Sequence, residues 1–176
     1  PDMEISSTNV ATLMREIIDL YKEQETNISI SFFMDSDDLM FDVDPGRIRQ
    51  IMHNLIRNSI EAISETEKGK INITVKQVYI DQITMIEIRV EDSGCGFNKE
   101  SLGQIFDPYV TSKSKGTGVG LAIVKKLVEE HMGKIEAENN EDKGAAIIIH
   151  LPENEIMREK IIKNLKQNKD RGVQAR

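Results

Sequence analysis

The run Gly116-Thr117-Gly118-Val119-Gly120-Leu121 constrains this chain most. Three glycines in five residues leave the backbone bare of Cβ atoms where a polar stretch gives way to an apolar helical pattern. The first N–H groups of a helix have no intrahelical acceptor, so such a segment can cradle a phosphate. An ordinary turn before a helix fits these six residues equally well, and other positions must decide. The spacing is not that of a dinucleotide fingerprint, and no Walker-type lysine motif occurs.

At 176 residues the chain can bury one real core. Its 39% hydrophobic and 30% charged residues read as a globular domain, and no apolar run approaches the ~20 residues of a membrane span. A net charge of −7 argues against a nucleic-acid surface. Cys95 is the single cysteine, which excludes an internal disulfide and fits a reducing compartment. His53, His131 and His150 are scattered, without zinc spacing. The chain opens on Pro1 without a signal peptide and reads as cut from something longer.

Periodicity predicts a helix over 9–23, capped by Ser7 or Thr8, with Val10, Leu13, Met14, Ile17, Ile18 and Tyr21 at 3–4 spacing. Strands are expected at 28–33 and 39–43. Asp44-Pro45 pairs an N-cap with a first-turn proline and starts a helix to about 63. A turn over 66–69 leads to alternating strands at 70–79 and 83–91. From 92 to about 115 the pattern dissolves among glycines and serines, and 98–115 reads as a lid. A helix over 118–132 follows, stopped by Gly133 in the C′ position. Strands at 134–138 and 145–151 form a hairpin ended by Pro152. A final amphipathic helix over 153–168 leads into a basic tail.

Three constellations carry chemistry. On the helix 45–63, Asn54 and Asn58 stand one turn apart, with Arg47 and Glu61 on the same stripe. Asparagine is a poor helix-interior residue. A solvated face explains the pair; so does an amide ligand for Mg²⁺, an ion that takes the rest of its shell from water and phosphates. Arg57 beside them can reach a phosphate oxygen. Asp92 continues the row of Thr84, Ile86, Ile88 and Val90, so a carboxylate is aimed along the core-facing side at a strand end. It either closes an Asp-Ser-Gly turn or accepts from an adenine amine, with Gly94 and Gly96 admitting a flat base. Phe106 and Tyr109 either pin the glycine-rich loop or present a contact surface.

Taken in order, these motifs resemble the catalytic ATP-binding domain of sensor histidine kinases. The N box is His53-x-Asn54-Leu55-x-x-Asn58-Ser59. The first glycine box is Asp92-Ser93-Gly94-Cys95-Gly96-Phe97, and the aromatic box is Ile105-Phe106-Asp107-Pro108-Tyr109. Gly116 to Leu121 is the second glycine box. The resemblance covers roughly 1–152, and 106–133 looks most like the nitrogen-regulation branch.

The resemblance implies an α/β fold of the Bergerat type: a two-layer sandwich, its mixed sheet covered on one face by three helices. Residues 1–152 would be the ATP-binding domain and 153–176 a helix and polar tail. Asn58 would bind Mg²⁺ with Asn54 close by, and Asp92 would take the adenine N6 amine. The backbone of Gly116, Thr117, Gly118, Val119, Gly120 and Leu121 would hold the phosphates, with Lys113 or Lys115 at the γ-phosphate. Phe106 would dock a histidine-bearing dimerisation domain of the same parent, with a response regulator downstream. The expected setting is cytoplasmic, within a parent that can carry a membrane anchor. No membrane or nucleic-acid contact is expected of this segment.

Two departures from the family pattern stand out: Ala145-Ala146 stand where a threonine of the adenine pocket is usual, and Cys95 stands where small residues or proline are frequent and would place a thiol beside the nucleotide. Gyrase-, chaperone- and repair-type ATPases of the same fold carry a general-base Glu four residues before the metal Asn. Here Asn54 stands there, which argues for a kinase. A serine kinase of the anti-sigma type and a degenerate nucleotide-binding scaffold remain the alternatives. No histidine here sits in a phosphoacceptor pattern, so the acceptor is expected on a helical domain just before Pro1.

Overall fold

The computed structural model describes residues 2–23, 27–63, 68–110 and 118–173. The order is β1 (Ser6–Asn9), α1 (Val10–Lys22), β2 (Ile28–Met34), β3 (Met40–Val43), α2 (Pro45–Ala62), β4 (Gly69–Ile80), β5 (Ile83–Asp92), α3 (Gly120–Glu130), β6 (Lys134–Asn139), β7 (Ala145–Pro152) and α4 (Glu155–Val173). A single 3-10 turn, Leu102–Gln104, interrupts the glycine-rich stretch.

Five strands form one sheet in the order β2-β4-β5-β7-β6, and β1 pairs with β3 in a separate ribbon. Only β2 and β4 run parallel; the remaining pairs are antiparallel. One face is apolar because alternate residues of each strand share it: Ile71, Ile73 and Val75 on β4, Ile86, Ile88 and Val90 on β5, Ile147, Ile149 and Leu151 on β7. The apolar stripes of α1, α2 and α3 join these rows in one core. Burying each such aliphatic side chain is worth about 1.5–3 kcal/mol. The opposite face is polar. Arg89 bridges Glu91 at 3.3 Å and Glu138 at 2.8 Å, and His150 meets Glu87 at 3.0 Å. This is the mixed sheet covered on one face that the resemblance implied.

Several local expectations are corrected. Residues 6–9 are a strand, held by pairing Ser6 with Val43 and Asn9 with Met40. The cap of α1 is therefore Asn9, not Ser7 or Thr8; its side chain accepts the Thr12 N–H at 2.9 Å. Helix α3 begins at Gly120, since Gly118 has φ +67° and cannot be helical. It ends at Glu130 in a Schellman turn: Met132 takes the left-handed position at φ +61°, and the Gly133 N–H reaches back to Val128 C=O at 2.9 Å. Gly133 is thus one place beyond C′. A Cβ there would lie 2.5 Å from the His150 carbonyl oxygen, which is why glycine stands at that place. Helix α4 continues to Val173, past the end expected near 168. Asp44 caps α2 as expected, accepting the Arg47 N–H at 3.0 Å.

Candidate active site

The polar stripe of α2 faces α3 at two levels. Near the start, the Arg47 guanidinium lies 3.4 Å from Asp44 and pairs with Glu130 in the last turn of α3. Further along, Asn54 donates through Nδ2 to Gln50 C=O at 2.8 Å. Its Oδ1 lies 3.1 Å from where a Cβ on Gly120 would stand. At Asn54 the stripe borders a helix–helix seam while its side chain stays partly exposed. A side chain at Gly120 would press on the Asn54 amide, which would have to give by a few tenths of an ångström. Asn58 and Glu61 continue the stripe beyond the first turn of α3, and Asn58 is half-buried. Arg57 is exposed, 3.7 Å from Glu61. Among the described residues no side chain caps the start of α3, and the leading N–H groups of a helix have no intrahelical acceptor.

The other motifs converge on the same end of α2. A Cβ on Gly94 would come within 2.6 Å of the Ala62 carbonyl oxygen, and the Cys95 N–H bonds that oxygen at 3.0 Å. Gly96, at φ +74°, turns the chain against Asn139, whose Oδ1 takes the Phe97 N–H at 2.7 Å. So the glycines of the first box are required by packing against the protein itself. Gly118 is held likewise: its C=O accepts the Tyr109 N–H at 3.0 Å, and a Cβ would lie 2.7 Å from the Tyr109 carbonyl carbon. That contact joins the last residue of the aromatic box to the second glycine box.

Asp92 ends β5 on the buried row, 8% exposed. Its Oδ1 accepts the Gly94 N–H at 2.8 Å. Ala145 is its cross-strand partner. The Asn140 side chain donates to the Asp92 carbonyl at 3.2 Å. Phe106 and Tyr109 divide their two readings: Phe106 packs partly against the core, whereas Tyr109 is 81% exposed. Val119 and Leu121 flank the first residue of α3 and are half-buried. Lys113, Lys115, Gly116 and Thr117, and most of the expected lid tip, lie outside the described residues. Sequence reading passed over Asn139, Asn140 and Gly144, which sat inside an expected turn. The signal was their type: two asparagines and a glycine suit side-chain-to-backbone bonding.

A profile of histidine kinase-, DNA gyrase B- and HSP90-like ATPases matches residues 43–155, which span all of these elements. The chain belongs to this family. It is 38% identical over 149 residues to a putative NtrY-like sensor histidine kinase of Rickettsia felis, covering 85% of this chain and 24% of that protein. Sensor histidine kinase ZraS of Escherichia coli is 32% identical across 86% of this chain and 32% of its own length. The chain thus spans about a quarter to a third of these relatives. Among solved structures, the nucleotide-free catalytic domain of histidine kinase ThkA superposes with a TM-score of 0.77 at 38% identity, covering 86% of this chain and 97% of that one. ThkA in complex with response regulator TrrA matches at TM-score 0.72 and 35% identity, over 86% of this chain and 42% of ThkA.

Within this ATPase fold the donors suit a metal that arrives with its own ligands. Among the described residues no group of three His, Cys, Asp or Glu is placed to hold an ion. A neutral amide such as Asn58 suits an Mg²⁺ ion that draws most of its shell from water and nucleotide phosphates. No helix of the described residues is long and apolar enough to cross a membrane.

Proposed function

We propose that this chain is the ATP-binding catalytic domain of a two-component sensor histidine kinase of the nitrogen-regulation type. It would transfer the γ-phosphate of ATP to a histidine on a helical domain of a longer parent, with a response regulator downstream. The observation that carries this reading is the seam between Asn54 and Gly120. It brings the asparagine-bearing helix against an uncapped helix start, and the residue four before Asn58 is an amide. An amide cannot abstract a proton from water, so the site binds and orients a nucleotide without a hydrolytic base of its own. A kinase needs none there, because the acceptor brings its own nucleophile.

In this reading Asp92 accepts from the adenine amine, and Asn58, with Asn54 behind it, holds Mg²⁺. The N–H groups leading into Leu121, with Arg57 and Lys113 or Lys115, face the phosphates. The ion would supply charge neutralisation on the phosphate oxygens. Tyr109, and Phe106 where it emerges from the core, would meet the histidine domain. The setting would be cytoplasmic. Calorimetry with ATP, with and without Mg²⁺, tests the binding half; no heat at millimolar nucleotide would sink it. Joining the chain to its acceptor domain should yield acid-labile, base-stable phosphate on that domain. Phosphate released only to water would instead mark an ATPase.

A further inference from the structure

The last turn of α3 and the first of α2 meet in a buried polar cluster that none of the four motifs contains. His131 caps α3 and is 1% exposed. Its Nδ1 lies 2.8 Å from Leu127 C=O, and its Nε2 lies 3.2 Å from the Asp44 N–H. A carbonyl only accepts and an amide N–H only donates. The ring must therefore be neutral, with its proton on Nδ1. The Asp44 carboxylate accepts N–H groups from Arg47 at 3.0 Å and Glu4 at 2.9 Å. Arg47 pairs with that carboxylate and with Glu130. From α4, Arg158 donates to Asp42 C=O at 2.8 Å and pairs with Glu155 at 3.1 Å. Asp44 at the cap of α2, Arg47 of α2 and Arg158 of α4 are the charges that act on the ring among the described residues, and the two arginines are themselves paired with Glu130 of α3 and Glu155 of α4.

The position of this cluster matters. Asn54 is ten residues along α2 from Asp44, and Gly120 is eleven residues back along α3 from His131. At about 1.5 Å per residue, the Asn54–Gly120 contact lies about 15 Å away along both helices. The two helices are antiparallel, anchored at one end by the His131 cluster and carrying the candidate site at the other.

We propose that His131 is a positioning residue: its bond to the Asp44 N–H sets the axial register of α3 against α2, and so places the glycine-rich helix start over Asn54 and Asn58. The inference rests on the nucleotide reading above. A slip of one residue moves a helix by about 1.5 Å, and about 1 Å of misplacement can cost roughly 10²-fold in transfer. Protonating Nε2 would set N–H against N–H, so acid should loosen the register. Burial holds the His131 ring below its ordinary pKa, against the Leu127 carbonyl and Asp44 and with help from Arg47 and Arg158.

Two substitutions separate positioning from mere packing. His131→Gln keeps an acceptor near Nε2 and cannot ionise; His131→Leu has no acceptor. ATP·Mg²⁺ affinity is measured by calorimetry on the 176-residue chain at about pH 7.5 and about pH 5.5, within the range where histidine titrates. Melting temperature is followed in parallel. At the higher pH, His131→Leu should bind about tenfold more weakly, the equivalent of one unmet buried donor. His131→Gln should stay within about threefold. On acidification the wild type should lose more affinity than His131→Gln; the titration of ATP itself is common to both. Wild-type affinity in folded His131→Leu would overturn the inference. If that variant does not fold, identical pH dependence of wild type and His131→Gln would overturn it. A wild-type chain that binds no nucleotide removes the proposed function and this inference together.

Discussion

Gly144→Ala is the sharpest perturbation the fold offers. Gly144 precedes β7 at φ +97°, and a Cβ built there would lie 1.8 Å from the Asp92 carbonyl oxygen and 3.0 Å from the Ser93 Cα. A left-handed backbone costs a residue with a Cβ about 1–2 kcal/mol. The clash adds to this, because both partners are backbone in a paired ladder, Asp92 opposite Ala145. Relieving it moves the strands apart and endangers the Asn140–Asp92 hydrogen bond of 3.2 Å, worth about 1 kcal/mol. Together these give roughly 2–4 kcal/mol, which for a chain of this size lowers Tm by about 5–15 °C. ATP affinity should fall as well, since Asp92 shifts. The control is Gly103→Ala, where a Cβ meets nothing within 4 Å; it should hold or slightly raise Tm. Differential scanning fluorimetry and calorimetry read both variants. A Gly144→Ala protein melting within about 2 °C of wild type would refute the reasoning.

In the proposed site, Asp92→Ala should weaken ATP about 10- to 150-fold while leaving GTP, already poor, unchanged; a wild-type chain that binds both equally contradicts the assigned role. Asn58→Asp should abolish phosphoryl transfer to a linked acceptor domain with Tm within a few degrees of wild type; wild-type turnover would remove the metal role. Asp81 and Gln82 turn the β4–β5 hairpin at φ +49° and +64°, a geometry that favours glycine. Gln82→Gly should therefore stabilise by about 1 kcal/mol, and a lower Tm would count against it. Acid should weaken the fold in two stages. The folded pKa of His131 is depressed by burial, so below about pH 6.5 the unfolded chain binds more protons and stability declines. For Asp44, burial is outweighed by N–H groups from Glu4 and Arg47 and by the Arg47 charge, so a second loss follows below about pH 4. Urea titrations at stepped pH should show both stages, and His131→Gln should lack the first. A flat wild-type profile from about pH 7 to 5 would contradict this.

The helices and long strands were legible in the sequence because their apolar residues repeat at the period of the element that buries them. Strand β1 was not, because Ser6, Ser7, Thr8 and Asn9 carry no apolar alternation; pairing to β3, not burial, makes them a strand. The ends of α3 slipped because a left-handed Gly118 or Met132 leaves no mark in a periodicity. At the site, residue types and order announced the motifs, but not why each glycine is there. Gly94 answers to Ala62 and Gly118 to Tyr109, neighbours that only the tertiary fold supplies. That α3 begins beside Asn54 was not legible, because nothing in a single helix reveals which second helix starts against it.

The strand order carries a consequence for synthesis. β4 and β5 are joined by a two-residue turn and can pair within about 1–10 μs. The second edge of β5 belongs to β7, with β6 outside it. On a ribosome adding about 5–20 residues per second, that edge stays bare for several seconds between Asp92 and Ala145. Throughout that interval Ile86, Ile88 and Val90 lack their β7 partners, and Asp44 waits for a histidine 87 residues downstream. A nascent chain at this stage presents an apolar strand with an unpaired edge, the kind of transient surface that favours aggregation, and has no closed site for a nucleotide to hold together.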